Sequence, residues 1–162
     1  MTTPLTLTVQ SPAFSDGFAV PKDYTADGAN ASPPLRWSDP PEGTRSFALV
    51  CDDPDAPRGT FVHWVLYNLP ADARELPPGV PPDGTLASGA RQGANGFGRI
   101  GYGGPSPPPG PAHRYHFKLY ALDAPLPLEA GATKEQLLAA MRGRQLAEGR
   151  LTGVYGREPK GR

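Results

Sequence analysis

Short apolar segments alternate with turn-forming residues along most of the chain. Positions 5–10, LTLTVQ, alternate apolar and polar side chains with the period of two that is typical of a half-buried strand. Three longer segments, 46–52, 60–69 and 113–122, are rich in apolar, β-branched and aromatic residues and predict buried strands. The segment RLTGVYGR (150–157) predicts a last strand. The pattern therefore indicates a mainly β protein.

The same alternation assigns side chains to the two faces of each predicted strand. In the strand 113–122, the odd positions from Tyr115 to Leu119 are apolar or aromatic, whereas the even positions between 114 and 118 are basic. In the strand 60–69, strict alternation predicts that His63 shares a face with Val65, and that Trp64 lies on the opposite face.

One helix is predicted near the C-terminus. Thr133 and Gln136 have the spacing of a capping box at a helix start. An apolar stripe follows at Leu137, Leu138 and Met141. Gly143 weakens this segment, so we expect the helix to break there and to restart before QLAEG (145–149).

Composition agrees with a β fold that has many turns. The 162 residues include 20 Gly and 22 Pro, but these lie between apolar segments, as turns do, rather than in low-complexity runs. Segment 18–37 is predicted to be mostly loop with a short edge strand. The length suits one domain, so we expect residues 1–162 to form a single β-sandwich with Greek-key connections.

Charge and cysteine content exclude several classes of protein. Lys+Arg and Asp+Glu number 16 each, so no net field attracts nucleic acid or an acidic membrane. Cys51 is the single cysteine, which excludes an internal disulfide and a cysteine-based zinc site. The N-terminal sequence lacks the features of a signal peptide, and no stretch is apolar enough to span a bilayer. We therefore expect a cytoplasmic protein.

Two clusters contain side chains capable of binding chemistry. The first is DPDAP (53–57), where prolines stiffen a turn that carries Asp53 and Asp55, followed by His63 in the next strand. The second is GPSPPPGPAHRYHF (104–117), where a rigid proline-rich loop precedes His113 and Tyr115. We interpret the loop as the wall of an anion-sized pocket, with the following strand as its polar floor.

The glycine-rich segment GARQGANGFGRIGYGG (89–104) lies just before this loop. It lacks the Lys-Ser/Thr pair of a phosphate-binding loop, so we expect it to allow close backbone approach around a cavity. A proline-rich segment can also be a ligand for SH3-type domains, but its place between a glycine-rich segment and a core strand fits that function poorly.

Other interpretations of these residues stay open. An aspartate in a proline-rich turn usually accepts local backbone hydrogen bonds, and a histidine in an apolar strand is often a core residue. A metal site made of His63, His113 and Asp53 is conceivable, although the spacing matches no recognised metal pattern. Hydrolysis through a nucleophile is disfavoured because the chain has no GxSxG motif.

Taken together, these motifs resemble those of the phosphatidylethanolamine-binding proteins, also called Raf kinase inhibitor proteins. The resemblance is carried by DPDAP followed by HW, and by GPSPP followed by HRYHF. NASPPLRW, GTRSFALVCDDPDAP and LAEGRLTGVYGR resemble the bacterial and archaeal branch. The resemblance implies one domain in which a large antiparallel sheet packs on a smaller sheet, with one or two helices near the C-terminus.

The resemblance also implies a pocket for phosphate, acetate or a phospholipid head group. Its residues would be Asp53, Asp55, His63, His113 and Tyr115, with Pro57, Pro107 and Pro108 as a rigid rim. The histidines and the tyrosine would donate to the anion. Asp55 would orient a histidine, and Asp53 would accept from the ligand. The Ala56–Pro57 peptide bond is a candidate for the cis form.

We therefore expect a regulatory module that binds a small anion without catalysis, cofactor or metal. The alternatives are an inhibitor of a protein kinase or protease and, less favoured, a hydrolase acting on a phospho or ester substrate. Homodimerisation is possible. The given sequence ends with GVYGREPKGR (153–162), so the C-terminal helix that mammalian members place beside the pocket is expected to be absent.

Overall fold

The computed structural model describes residues 5–158 and contains two β-sheets and one α-helix. The strands are β1 (Leu5–Thr6), β2 (Val9–Gln10), β3 (Leu35–Trp37), β4 (Ser46–Asp53), β5 (Phe61–Pro70), β6 (Glu75–Leu76), β7 (Arg91–Gln92), β8 (His113–Leu122) and β9 (Gln145–Tyr155). The helix α1 spans Lys134–Met141, and a short 3-10 helix spans Lys22–Tyr24. The predicted β fold with a late helix is confirmed.

The larger sheet has six strands in the order β1-β9-β8-β4-β5-β7, and the smaller has three in the order β2-β3-β6. All strand pairs are antiparallel except β1 with β9. Strand β4 lies between β5 and β8, which are distant in sequence. This arrangement brings the C-terminal end of β4 beside the N-terminal ends of β5 and β8.

Apolar side chains fill both sides of the larger sheet. Between the sheets, residues such as Phe47 and Phe117 pack with Leu35 and Trp37 of β3. On the other face, Leu137 and Met141 of α1 pack with the following sheet residues: Ala48, Val50, Val65, Tyr67 and Leu122. Because both faces are covered, β4 is buried along its whole length. The C-terminal end of β4 is therefore held in place, and so are the side chains that follow it.

The capping box at the start of α1 is confirmed, because the Gln136 amide donates to Thr133 Oγ1 over 3.1 Å and the Thr133 amide donates to Gln136 Oε1 over 2.9 Å. The expected restart of the helix at 145–149 is wrong. Gly143 adopts a φ of +75°, which ends the helical segment, and the chain from Gln145 onward pairs with β8. No helix in the described part of the chain has the length and apolar character of a membrane span.

Two further expectations about strands are wrong. Segment 5–10 is not one strand: β1 pairs with the larger sheet and β2 with the smaller, because the chain passes from one sheet to the other at Leu7. The short strand within segment 18–37 is not an edge strand, because β3 pairs on both sides. A period of two indicates an extended chain but does not say which strands flank it.

Candidate functional site

A cavity of about 160 Å³ lies where the C-terminal end of β4 meets the N-terminal ends of β5 and β8. Its lining residues are Asp53, Ala56, Pro57, Phe61, His63, Phe97, Ser106, Pro107, Pro108, His113 and Tyr115. Seven of the eight residues expected at the site thus come together, and Asp55 is the exception. The two motifs that the sequence analysis singled out form one cavity.

His63 reaches the cavity because strand β5 contains a bulge. Val62 and Trp64 pair with consecutive residues of β4, which leaves His63 as the extra residue on β5. The His63 ring contacts Tyr115, with 5.2 Å between the ring centroids, on the side that faces the smaller sheet. The expectation that His63 shares a face with Val65 is therefore wrong, because a bulge interrupts strict alternation.

The surroundings of His63 define its protonation. Its Nδ1 lies 2.6 Å from the carbonyl oxygen of Gly103. A carbonyl only accepts, so Nδ1 carries a hydrogen and Nε2 is the nitrogen left for a ligand. Burial lowers the pKa of His63 below its ordinary value. The free protein therefore favours a neutral ring whose Nε2 accepts hydrogen bonds.

Asp53 orients His113. The two side chains are buried, and Oδ2 of Asp53 lies 2.7 Å from Nδ1 of His113. The other carboxylate oxygen accepts from the backbone amide of Asp55 over 2.7 Å, which closes the proline-rich turn. The expectation that Asp55 orients a histidine is therefore wrong.

Asp55 lies outside the cavity because it binds Arg114. Its carboxylate accepts from the Nε and Nη2 atoms of Arg114 and from the Arg114 backbone amide, at 2.8–2.9 Å. This pairing holds the pKa of Asp55 far below its ordinary value. The ion pair joins the turn after β4 to the start of β8 and thereby supports the cavity from outside.

Tyr115 forms the floor of the cavity. Its side chain is 1% exposed, and its hydroxyl has no hydrogen-bond partner among the described residues. Burial, with a further contribution from the charge of Asp53, raises the pKa of Tyr115 well above the ordinary value. The phenol therefore stays protonated and is a donor in a confined space beside His63.

An aromatic collar, which the sequence analysis missed, completes the wall. Phe61 and Phe97 are in edge-on contact with each other and with His63, at centroid separations of 4.8–5.6 Å. A Cβ on Gly96 would lie 2.6 Å from the Phe61 ring, and a Cβ on Gly103 would lie 2.5 Å from the Phe97 ring. The glycine-rich segment thus permits the close approach that its composition predicted. Its single phenylalanine, Phe97, was the feature of the sequence that could have indicated the aromatic collar.

Arg157, also missed, ties the proline-rich rim to a neighbouring loop. Its guanidinium donates to both carboxylate oxygens of Asp27, at 2.7 and 3.1 Å, and to the carbonyl of Pro107 at 3.0 Å. Asp27 also accepts from the hydroxyl of Tyr155 over 2.6 Å, and these contacts lower its pKa to about 2. The pair fixes the wall that Pro107 and Pro108 form.

The expectation of a cis bond between Ala56 and Pro57 is wrong. This bond is trans, as is every other peptide bond of residues 5–158, and the trans form is the ordinary state of a bond before proline. Within the same residues, no group of three or more His, Cys, Asp or Glu side chains is arranged to hold a metal ion. The bonds of His63 to Gly103 and of His113 to Asp53 engage one nitrogen of each ring.

Comparisons with known proteins give a consistent result. Residues 10–156 match the model of a family described as phosphatidylethanolamine-binding protein. A protein of Methanothermobacter thermautotrophicus named UPF0098 is 49% identical over 151 residues, covering 93% of this chain and 99% of the relative. Its counterpart in Aquifex aeolicus is 48% identical, covering 93% and 88%.

Two crystal structures have the same fold. E. coli YbcL, described as a member of the mammalian PEBP family, superimposes with a TM-score of 0.87 at 35% identity and covers 94% of this chain. A phosphatidylethanolamine-binding protein homolog from Chlamydia trachomatis gives 0.86 at 41% identity, with the same coverage. In both comparisons 99% of the other chain is covered.

Proposed function

Because this chain belongs to the phosphatidylethanolamine-binding protein family, we propose that its cavity binds a single small anionic group without catalysing a reaction. The ligand class is a phosphate, free or as part of a phospholipid head group. A volume of about 160 Å³ suits one such group rather than a whole lipid.

The observation that carries this proposal is the hydroxyl of Tyr115. A buried donor without a protein partner costs free energy, and an anion in the cavity would provide its acceptor. The rings of His63 and His113 lie beside the tyrosine ring, at centroid separations of 5.2 and 6.4 Å, and all three residues line the cavity. Three polar groups thus converge on one small volume.

Binding of an anion would be coupled to a proton. The Nδ1 hydrogen of His63 is engaged with Gly103, so its Nε2 donates to an anion only when the ring is protonated. Alternatively, a protonated oxygen of the ligand donates to the neutral Nε2. In both cases the complex contains one proton more than the neutral His63 ring and the fully ionised ligand contain together before they bind.

We propose that the cavity does not catalyse a reaction, because the hydroxyl at its rim, that of Ser106, has no activating partner in the described part of the chain. Ser106 lines the cavity, and its Oγ accepts from Arg157 over 3.4 Å. Within residues 5–158, no hydrogen bond joins this Oγ to an imidazole or carboxylate that would activate it as a nucleophile. We expect no release of p-nitrophenol from p-nitrophenyl phosphate above the spontaneous rate, and turnover lost in His63→Ala would contradict this.

Titration calorimetry tests the binding proposal. Inorganic phosphate and glycerophosphoethanolamine, the water-soluble head group of the lipid, are titrated into wild type and into the double variant His113→Asn, Tyr115→Phe. We expect the double variant to lose binding of both ligands. His116→Asn is the matched control, because His116 is a buried histidine bonded to Thr152 outside the cavity lining.

The two ligands separate the sources of the phosphate. Tighter binding of glycerophosphoethanolamine than of phosphate would identify a head group as the ligand, whereas equal affinities would identify the phosphate group alone. Binding that the double variant retains, or that His116→Asn loses equally, would overturn the proposal.

A further inference from the structure

A second cavity, of about 510 Å³, shares no lining residue with the first. It extends from the end of β5 along β6 to the loop that connects β6 with β7. Aliphatic side chains, among them Leu69, Leu76, Val80 and Leu86, form most of its surface. We call this cavity the β6 groove. Its volume lies within the range of sites for small organic ligands.

The wall of the β6 groove is fixed by a buried glutamine. Gln92 has no exposed surface, and its Nε2 donates to the carbonyls of Pro81 and Asp83 over 2.7 and 2.8 Å. Its Oε1 accepts from the indole nitrogen of Trp64 over 2.7 Å. The loop is therefore held to the core of the larger sheet, and the groove exists before any ligand arrives.

The charged residues that line the β6 groove are all acidic, and Arg36, the strand partner of Glu75, does not line it. Asp72, Glu75 and Asp83 lie on its rim with exposed side chains, and no basic residue lines it. Within the described part of the chain, none of the three takes part in a salt bridge. The neighbouring Arg74 pairs instead with Asp39 over 3.0 Å. Three negative charges thus border apolar surface in a protein whose formal net charge is zero.

We propose that the β6 groove binds a small organic cation with an apolar body, such as an arylalkyl or alkyl amine. The aliphatic wall would bury the apolar part, and the rim carboxylates would attract the ammonium group. A second copy of the chain docked through a twofold axis would place these carboxylates against one another, which like charges oppose. This site is independent of the anion proposed for the first cavity.

A charge series of isosteric probes tests the proposal. 4-Phenylbutylamine, 4-phenylbutanol and 4-phenylbutanoate are titrated into ¹⁵N-labelled protein at pH ~7 and low salt, where exposed charges are least screened. We expect the amine to bind about fivefold more tightly than the alcohol, and the carboxylate to bind most weakly. The backbone amides of Leu76, Val80 and Leu86 are expected to shift.

Two variants test whether the rim carboxylates cause the preference for the amine and whether the first cavity contributes to it. The triple variant Asp72→Asn, Glu75→Gln, Asp83→Asn is expected to bind amine and alcohol equally, and retained alcohol binding shows that the groove is intact. The double variant His63→Ala, His113→Ala is expected to bind the amine as wild type does. Equal affinities for the three probes in wild type, no binding of any probe, or shifts confined to the first cavity would overturn the proposal. Amide shifts that depend on protein concentration alone would identify a second copy as the occupant and would also overturn it.

Discussion

The Nδ1 atom of His113 lies 2.7 Å from Oδ2 of Asp53, although the two residues are 60 positions apart in the chain. This bond joins the end of β4 to the start of β8, and it determines which imidazole nitrogen of His113 is left for a ligand. Because Oδ1 of the same carboxylate accepts from the Asp55 amide, one buried side chain both orients the histidine and closes the turn.

We predict that Asp53→Ala lowers the free energy of unfolding by about 2 kcal/mol, because a buried imidazole and a turn amide both lose their acceptor. Asp53→Asn keeps one acceptor oxygen and is expected to lose less. Urea denaturation at neutral pH measures both values. Equal stability of the alanine variant and wild type would show that the carboxylate does not support the fold.

A different result is predicted for Tyr115→Phe, which removes a hydroxyl that has no partner among residues 5–158. The stability is expected to change by less than ~0.5 kcal/mol, or to rise, because no protein hydrogen bond is lost. The affinity for phosphate is expected to fall about tenfold, since the anion loses one donor. Calorimetry and urea denaturation measure the two quantities.

Tyr120→Phe provides the control for that variant. Tyr120 is half-buried on the opposite face of β8, and burial raises its pKa to about 12, so it too is a protonated phenol. Phosphate affinity is expected to be unchanged in Tyr120→Phe. If Tyr115→Phe instead destabilised the fold and left phosphate affinity intact, the hydroxyl would be structural.

The strand 113–122 was predicted with its observed bounds because its signals are local. Apolar residues alternate along it, and prolines precede it. The capping box at Thr133 is likewise contained within four residues. Convergence of the two motifs on one cavity was implied by the family resemblance, not by spacing, and the described geometry places them together.

What could not be predicted depends on pairing between distant segments. The bulge at His63 exists only relative to the register of β4, so strict alternation placed this side chain on the wrong face. Asp53, and not Asp55, orients a histidine because Asp55 pairs with Arg114 once β8 has paired with β4. Arg157 follows the last predicted apolar positions, and only the path of the chain after β9 brings it to the rim.

We predict that affinity for sulfate rises as pH falls from ~8 to ~5. Sulfate keeps its charge over this interval, so any change belongs to the protein. Burial lowers the pKa of His63 in the free protein, whereas a bound anion would stabilise the imidazolium and raise it. Affinity for sulfate therefore increases as pH falls through the pKa that His63 has in the complex. It levels off below the pKa that His63 has in the free protein.

His63→Asn isolates this contribution, because asparagine does not titrate and its amide can still donate to Gly103. Calorimetric titration at several pH values is expected to show a flatter profile for this variant than for wild type. Parallel profiles would exclude His63 as the coupled group, and an affinity that rose with pH would contradict the coupling itself.

The last prediction concerns Arg157, whose bonds to Asp27 and to the carbonyl of Pro107 hold the rim. The pKa of Asp27 is lowered to about 2, so this pair is present throughout the neutral range and is lost only as pH falls through that value. Arg157→Ala is expected to weaken sulfate binding several-fold at pH ~7, because the proline wall loses its support.

Arg157→Lys is expected to restore binding only in part, since an ammonium cannot reproduce the forked contacts of the guanidinium. Arg74→Ala is the matched control: it removes an arginine that pairs with Asp39 and with backbone carbonyls but does not line the cavity. Calorimetry measures affinity, and circular dichroism reports whether the fold is kept. Sulfate binding that is equally strong in Arg157→Ala and wild type would show that the rim holds its position without this residue.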